Sequence, residues 1–136
     1  MRANGTFSVK SFNPALISQE PAVTTALPVG VATLEKSYSG DVAGRSVTLF
    51  TSAFDQATGV GTYVAMESFE GSVGGREGAF SFVHSASTSG ADRSAEYFAI
   101  VPSSGTGQLS GITGAGGLVI DADGTHRIWL EFEISG

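Results

Sequence analysis

Residues 61–87 read GTYVAMESFEGSVGGREGAFSFVHSAS. In the first half Tyr63, Ala65, Glu67 and Phe69 alternate with Val64, Met66 and Ser68, and in the second Phe80, Phe82 and His84 alternate with Ser81 and Val83. A period of two marks β-strands, whose successive side chains point to opposite faces. Gly61–Gly71 and Gly78–Ser87 therefore predict an antiparallel hairpin, with a register set by its loop. A loop at Gly75-Arg76 places Glu67 opposite His84. A loop at Gly74-Gly75 places Glu67 opposite Phe82, with His84 one diagonal step away. Either loop puts Tyr63, Ala65, Glu67 and Phe69 on the same face as Phe80, Phe82 and His84, whereas a three-residue loop breaks that parity.

The flanking chain reads as further short strands. Gly5–Phe12 is a first strand, ended by Asn13-Pro14. Ala15–Gly30, punctuated by Pro14, Pro21 and Pro28, reads as an irregular excursion with room for one helical turn. Val31–Ser39 and Ser46–Phe54 surround the turn Gly40-Asp41-Val42-Ala43-Gly44. Ala95–Pro102 carries the β-favouring residues Tyr97, Phe98, Ile100 and Val101. Leu118–Asp121 and His126–Ile134 form a last hairpin around Asp123-Gly124, a strong two-residue turn signal. No window shows sustained helical periodicity. About eight strands with closely spaced turn signals predict an all-β domain over 1–136, closed as an antiparallel barrel because closure removes exposed edges.

Composition narrows the functional classes. Nineteen of 136 residues are glycine, about twice the usual share of ~7%, and they are dispersed among apolar runs as tight turns require. Thirteen acids against seven bases give a net charge of −6, and no segment interleaves basic and aromatic residues, so nucleic acid is not an expected partner. There is no cysteine, which excludes disulfides, thiolate metal sites and a thiol nucleophile. No apolar run reaches the ~18–20 residues of a membrane span. MRANGTFSVKSF lacks the apolar centre of a signal peptide, and a cytoplasmic location is expected.

Three spaced segments carry a resemblance. They are Lys36-Ser37-Tyr38-Ser39-Gly40-Asp41-Val42-Ala43-Gly44; Tyr63-Val64-Ala65-Met66-Glu67 with Gly71, Gly75-Arg76, Gly78, Phe80 and His84; and Val101-Pro102, Ser104-Gly105-Thr106-Gly107, Leu109, Gly111 and Gly114, continuing to Gly124, His126 and Phe132. Together they resemble a bacterial family of small proteins of unknown function, related in fold to allene oxide cyclases, over roughly residues 31–135. The Gly-Thr-Gly-x-Leu-x-Gly segment is also similar to one in plant allene oxide cyclases and dirigent proteins. The resemblance implies a closed antiparallel eight-stranded, allene-oxide-cyclase-like barrel with calycin/lipocalin-like architecture. Its more distant relatives guide cyclisation of hydrophobic intermediates without metal or redox cofactor. Self-association as a homodimer or homotrimer is likewise what the resemblance implies. The segment from Asn13 to Gly30 departs from the family pattern.

If the shared face of the central hairpin lines the interior, it forms an aromatic pocket holding one carboxylate, one imidazole and one phenol. General acid–base chemistry on an apolar molecule requires such a set. The expected catalytic residues are Glu67 and His84, sharing a proton, and Tyr63, donating to a substrate oxygen. Phe69, Phe80 and Phe82 would hold the substrate folded, which removes the entropy of bringing reacting ends together. A structural Glu–His hydrogen bond is the simpler alternative. So is an outward orientation of this face into an oligomer, with Val64, Met66 and Val83 forming the core. Trp129, Glu131 and Glu133 share a face opposite Ile128, Leu130, Phe132 and Ile134. They are either solvated or part of a polar lumen, in which Trp129 and Glu131 would touch substrate. Asp121 and His126 could pair beside the last turn, at little energetic gain.

His84 and His126 come from different hairpins without ligand spacing, which argues against zinc. No Gly-x-Ser-x-Gly elbow is present. Gly105–Gly117 lacks a Walker lysine and reads as tight turns. No cofactor is expected. Three readings remain: a cofactor-free cyclase or isomerase for a polyketide- or lipid-like intermediate, a non-catalytic binder of a small apolar ligand, and a structural homo-oligomer with a filled barrel.

Overall fold

The computed structural model describes residues 1–135. Eight strands follow in order: β1 (Arg2–Ala15), β2 (Val29–Gly40), β3 (Val42–Asp55), β4 (Val60–Val73), β5 (Arg76–Ser89), β6 (Asp92–Ile100), β7 (Ile112–Ile120) and β8 (His126–Ile134). One turn of 3-10 helix, Gly107–Leu109, is the only helical element among the described residues. Each strand pairs antiparallel with the next, and β8 returns to β1, so the sheet closes into a ring. No helix among the described residues is long and apolar enough to cross a membrane.

The central hairpin turns at Gly74-Gly75, both at positive φ (57° and 82°). This suits a type I′ turn, whose twist matches that of the flanking strands. Val73 faces Arg76, Glu67 faces Phe82, and Ala65 faces His84. Of the two loops left open by the sequence, the register is that of Gly74-Gly75.

Several boundaries differ from expectation. β1 runs through Asn13 and Pro14, which face Thr33 and Ala32. Beyond Phe7, β1 pairs only with β2, and a proline is tolerated where one strand edge is free. Residues 16–28 are irregular and form no helical turn. Between β2 and β3 only Asp41 lies outside the strands, and Val42, Ala43 and Gly44 pair with Val73, Ser72 and Gly71. Part of the glycine-rich run expected as turns, Ile112–Gly117, pairs with Ile134–Trp129 instead. There, cross-strand pairing overrides weak β-propensity.

Alternation sorts the side chains between the two faces. Phe69, Phe80, Phe82, Ile100, Ile112, Leu130 and Phe132 are buried in one cluster. Val64 and Met66 are exposed on the outer face, so the orientation with those residues in the core does not occur. On β8, Ile128, Leu130 and Phe132 point in, while Glu131 and Glu133 are exposed and Trp129 is half-buried outside.

Gly44 and Gly71 face each other across β3 and β4, at φ 145° and 151°. A Cβ on Gly71 would stand 2.1 Å from the Ala43 carbonyl oxygen. Gly71→Ala therefore combines a disfavoured backbone with a backbone clash, and should destabilise by at least the ~1–3 kcal/mol of such strain. Urea unfolding measures this. A loss within ~0.5 kcal/mol, as for an ordinary surface substitution, would mean that the two strands part freely.

Candidate active site

The inward parity of β4 brings Glu67 to the middle of the ring, where it is fully buried. An isolated carboxylate there would be prohibitively costly, and its neighbours supply four donors. Lys36 Nζ (2.7 Å) and His84 Nε2 (2.5 Å) reach Oε2, while Tyr38 OH (2.6 Å) and Ser46 Oγ (2.8 Å) reach Oε1. Lys36 and Tyr38 come from β2, Ser46 from β3 and His84 from β5. Burial opposes ionisation of Glu67. The His84 hydrogen bond and the Lys36 charge outweigh it and hold the carboxyl at about 2. Tyr38 is kept protonated by its own burial and by the adjacent Glu67 charge, so it acts as a donor.

His84 lies beside the stacked pair of Phe82 and Phe98, whose centroids are 4.9 Å apart, with its own ring 5.9 and 6.0 Å from them. Its pKa is lowered by burial, with the Lys36 and Arg93 charges adding to that effect against the pull of Glu67. Lys36 already balances Glu67, so His84 is neutral. Nε2–H then donates to Glu67, leaving Nδ1 to accept from Tyr63 OH at 2.8 Å. Arg93 Nη2 donates to the same phenol oxygen at 2.9 Å, and Arg93 Nε to Glu96 at 2.7 Å. Burial raises the Tyr63 pKa and Arg93 counteracts it. The result is a continuous line, Arg93–Tyr63–His84–Glu67–Lys36.

Two hollows adjoin that line. One end of the ring forms an aromatic cup of about 310 Å³, lined by Phe12, Phe50, Phe54 and Tyr63 among others. The Tyr63 ring stacks on Phe50 at 5.1 Å. The second hollow is a slot of about 250 Å³ reaching His84, Arg93, Glu96 and Phe98, with Gly116, Gly117 and Trp129 on its other side. It lies where β6 and β7 share a single register pair, Ala99 with Ala115.

Glu67, His84 and Tyr63 thus converge as the sequence predicts. Phe69, Phe80 and Phe82 line neither the cup nor the slot. They are 1–2% exposed and packed in the core, because the rings fill the interior at their level. Trp129 and Glu131 are on the outer face, Trp129 at the slot rim and Glu131 paired with Arg2 at 2.9 Å. Strand parity removes both from a shared lumen with Glu67. Asp121 pairs with Arg127 rather than His126, whose ring stacks on Phe7 at 5.1 Å. Lys36, Tyr38, Ser46 and Arg93 were not among the expected site residues. Lys36 and Tyr38 alternate in phase with Leu34, a signal that could have placed a lysine on the buried face. Among the described residues no three His, Cys, Asp or Glu side chains gather as a metal site.

Glu67→Gln keeps the shape but leaves the Lys36 ammonium buried without its counter-charge. Breaking such a pair costs about 3–5 kcal/mol, and the double substitution Lys36→Met/Glu67→Gln should recover much of it. The folded carboxyl titrates at about 2 against 4.5 for the free group. Its stabilisation is complete above 4.5 and lost as pH falls through about 2. Chemical unfolding of wild type and Glu67→Gln should show a gap at neutral pH that closes in acid. A gap that persists in acid would contradict the assigned ion pair.

The profile of a family described as "Protein of unknown function (DUF3224)" matches residues 3–132. The chain is also similar to a crystal structure of a protein of unknown function from the DUF3224 family of Shewanella oneidensis MR-1. The two are 27% identical with a TM-score of 0.83, over 100% of this chain and 98% of that one. No curated protein matches the chain. With nearly its whole length matched, the chain belongs to the DUF3224 family of proteins of unknown function.

Proposed function

We propose that the protein is a cytoplasmic, cofactor-free isomerase or cyclase that moves a proton on a small apolar molecule, such as a polyketide- or lipid-like intermediate. The carrying observation is the position of Tyr63. Its ring forms a wall of the aromatic cup, and its hydroxyl is held between Arg93 and a neutral His84 backed by ionised Glu67. The apolar body of the ligand sits against Phe12, Phe50 and Phe54, with its reacting carbon at the Tyr63 oxygen.

The step balances with protons alone. Tyr63 passes its proton to His84 Nδ1, and Glu67 stabilises the imidazolium. Arg93 stabilises the phenolate, which removes a proton from the ligand carbon. Return of a proton to another carbon completes an isomerisation, and a ligand folded by the cup can close a ring instead. The same division of labour among nucleophile, imidazole and carboxylate operates in catalytic triads, where the carboxylate orients the imidazole without being protonated. An allene-oxide-cyclase-like barrel is part of this reading. Its supports are the ring of eight antiparallel strands and the resemblance of the glycine-rich segments.

β-Tetralone, an apolar ketone with acidic α-hydrogens, is a suitable probe in D2O by NMR. The wild type should bind it and accelerate α-deuteration. Tyr63→Phe should bind equally and lose about 100- to 10,000-fold in rate, the usual contribution of a positioned acid or base, while Phe50→Ala should weaken binding. Equal deuteration by wild type and Tyr63→Phe would reject the proton-transfer role. Binding without any acceleration would leave a passive binder.

The rate should also report the His84 titration. Because burial sets its pKa below 6.5, His84 is still an acceptor at that pH, and the rate should fall only in more acidic solution. A rate that declines from a midpoint above 6.5 would contradict a neutral, desolvated imidazole.

A further inference from the structure

Most hairpins of the ring are joined tightly. One residue separates β2 from β3, and two separate β4 from β5 and β5 from β6. Between β1 and β2 the chain instead makes a connection of 13 residues, 16–28, well beyond the roughly 2–5 residues of a hairpin loop. Leu16, Ile17 and Val23 in it are 106%, 66% and 70% exposed, and Glu20 is its one charged residue. Among the described residues, no backbone hydrogen bond ties it to the strands, and its side-chain hydrogen bond runs only from Thr25 to the Leu27 carbonyl.

This segment rises from the mouth of the aromatic cup. It leaves β1 three residues after Phe12 and enters β2 at Val29, whose register partner Ala53 adjoins Phe54. Phe12 and Phe54 both line the cup, and both are half exposed. Leu16 continues the parity of Phe12 and Pro14, whose partners Leu34 and Ala32 are buried inside the ring. Uncovered apolar surface therefore stands on the segment and on the rim, at one end of the molecule. No residue lining the cup is charged, so bringing the two together strips water from no ion there.

We infer that residues 16–28 form the second wall of the ligand site: over a filled cup they fold down, and Leu16 and Ile17 close on the apolar body of the ligand. The inference rests on the cup being a ligand site, and not on proton transfer by Tyr63. A site for a small apolar molecule encloses most of its surface, and the half-exposed rings at the rim leave one side of the cup uncovered. Closing on an empty cup would leave a void whose lining makes no contacts, so closure is coupled to binding. Reach is ample, because 13 residues span up to ~45 Å when extended, several times the width of a hollow of about 310 Å³. Gly30 supplies the hinge. Among the described glycines it alone has neither a left-handed φ nor an atom within 4 Å of a Cβ, so the arrangement seen does not itself demand glycine there. Its backbone freedom serves a movement at the start of β2, where an element-terminal hinge absorbs the change in angles.

NMR of the full chain saturated with β-tetralone tests the closure. Intermolecular nuclear Overhauser effects should join the ligand's ring protons to the Leu16 and Ile17 methyl groups as well as to Phe12 and Phe50. The double substitution Leu16→Ser/Ile17→Ser should bind about tenfold more weakly, the equivalent of ~1.4 kcal/mol, with an unchanged circular dichroism spectrum. Gly30→Val should keep the melting temperature, since no atom stands within 4 Å of its Cβ, and should also weaken binding. Ligand contacts confined to the phenylalanines, or wild-type affinity in the double variant, would overturn the closure and leave an open cup. A wild type that does not bind would overturn the ligand site and the closure together. Binding with contacts to Leu16 and Ile17 but without α-deuteration would uphold the closure and reject only the role of Tyr63.

Discussion

An ionised carboxylate in the middle of a protein can exist only if its surroundings replace the water it has lost. Glu67 meets that condition with an ammonium, an imidazole N–H and two hydroxyls drawn from β2, β3 and β5. The registers of three strand pairs must hold together for those groups to converge. A one-residue slip in β4 would carry Glu67 to the outer face and leave Lys36 buried alone. The polar centre thus ties the ring together in one arrangement, whereas its apolar neighbours would tolerate several.

The same centre divides the interior into two parts. On one side Phe69, Phe80, Phe82 and their neighbours fill the space completely, and the ring is a core. On the other, Phe12, Phe50, Phe54 and Tyr63 stand around open volume. Tyr63 alone touches both the polar line and the cup, which gives its hydroxyl two partners of opposite character. It donates to His84 Nδ1 and accepts from Arg93 Nη2. The seam between β6 and β7, a single register pair wide, exposes the far side of that arrangement to the slot beneath Gly116 and Gly117.

Alternation and turn chemistry are local properties, and they were legible residue by residue. The pattern from Tyr63 to His84 announces a hairpin with one mixed aromatic and polar face, and glycine at two successive loop positions permits the turn that sets the register. Asp123-Gly124 marks the last hairpin in the same way. Pro14 and the glycines of Ile112–Gly117 were misleading for a related reason. Both oppose strand structure when considered alone, but each is accommodated by what lies across the sheet, a free edge for Pro14 and the β8 backbone for the glycines.

Which groups meet across distant strands has no local signature. Lys36 lies 31 residues from Glu67, and nothing in its own segment names that partner. Nor could periodicity distinguish a hollow from a filled interior, because Phe80 and Phe50 both belong to inward faces and differ only in how many rings share their level. Side-chain parity is written along each strand. Closure of the ring, the ion pair at its centre and the volume left at one end arise from packing all eight strands at once, since burial and Coulomb energy depend on distances in space and not on spacing along the chain.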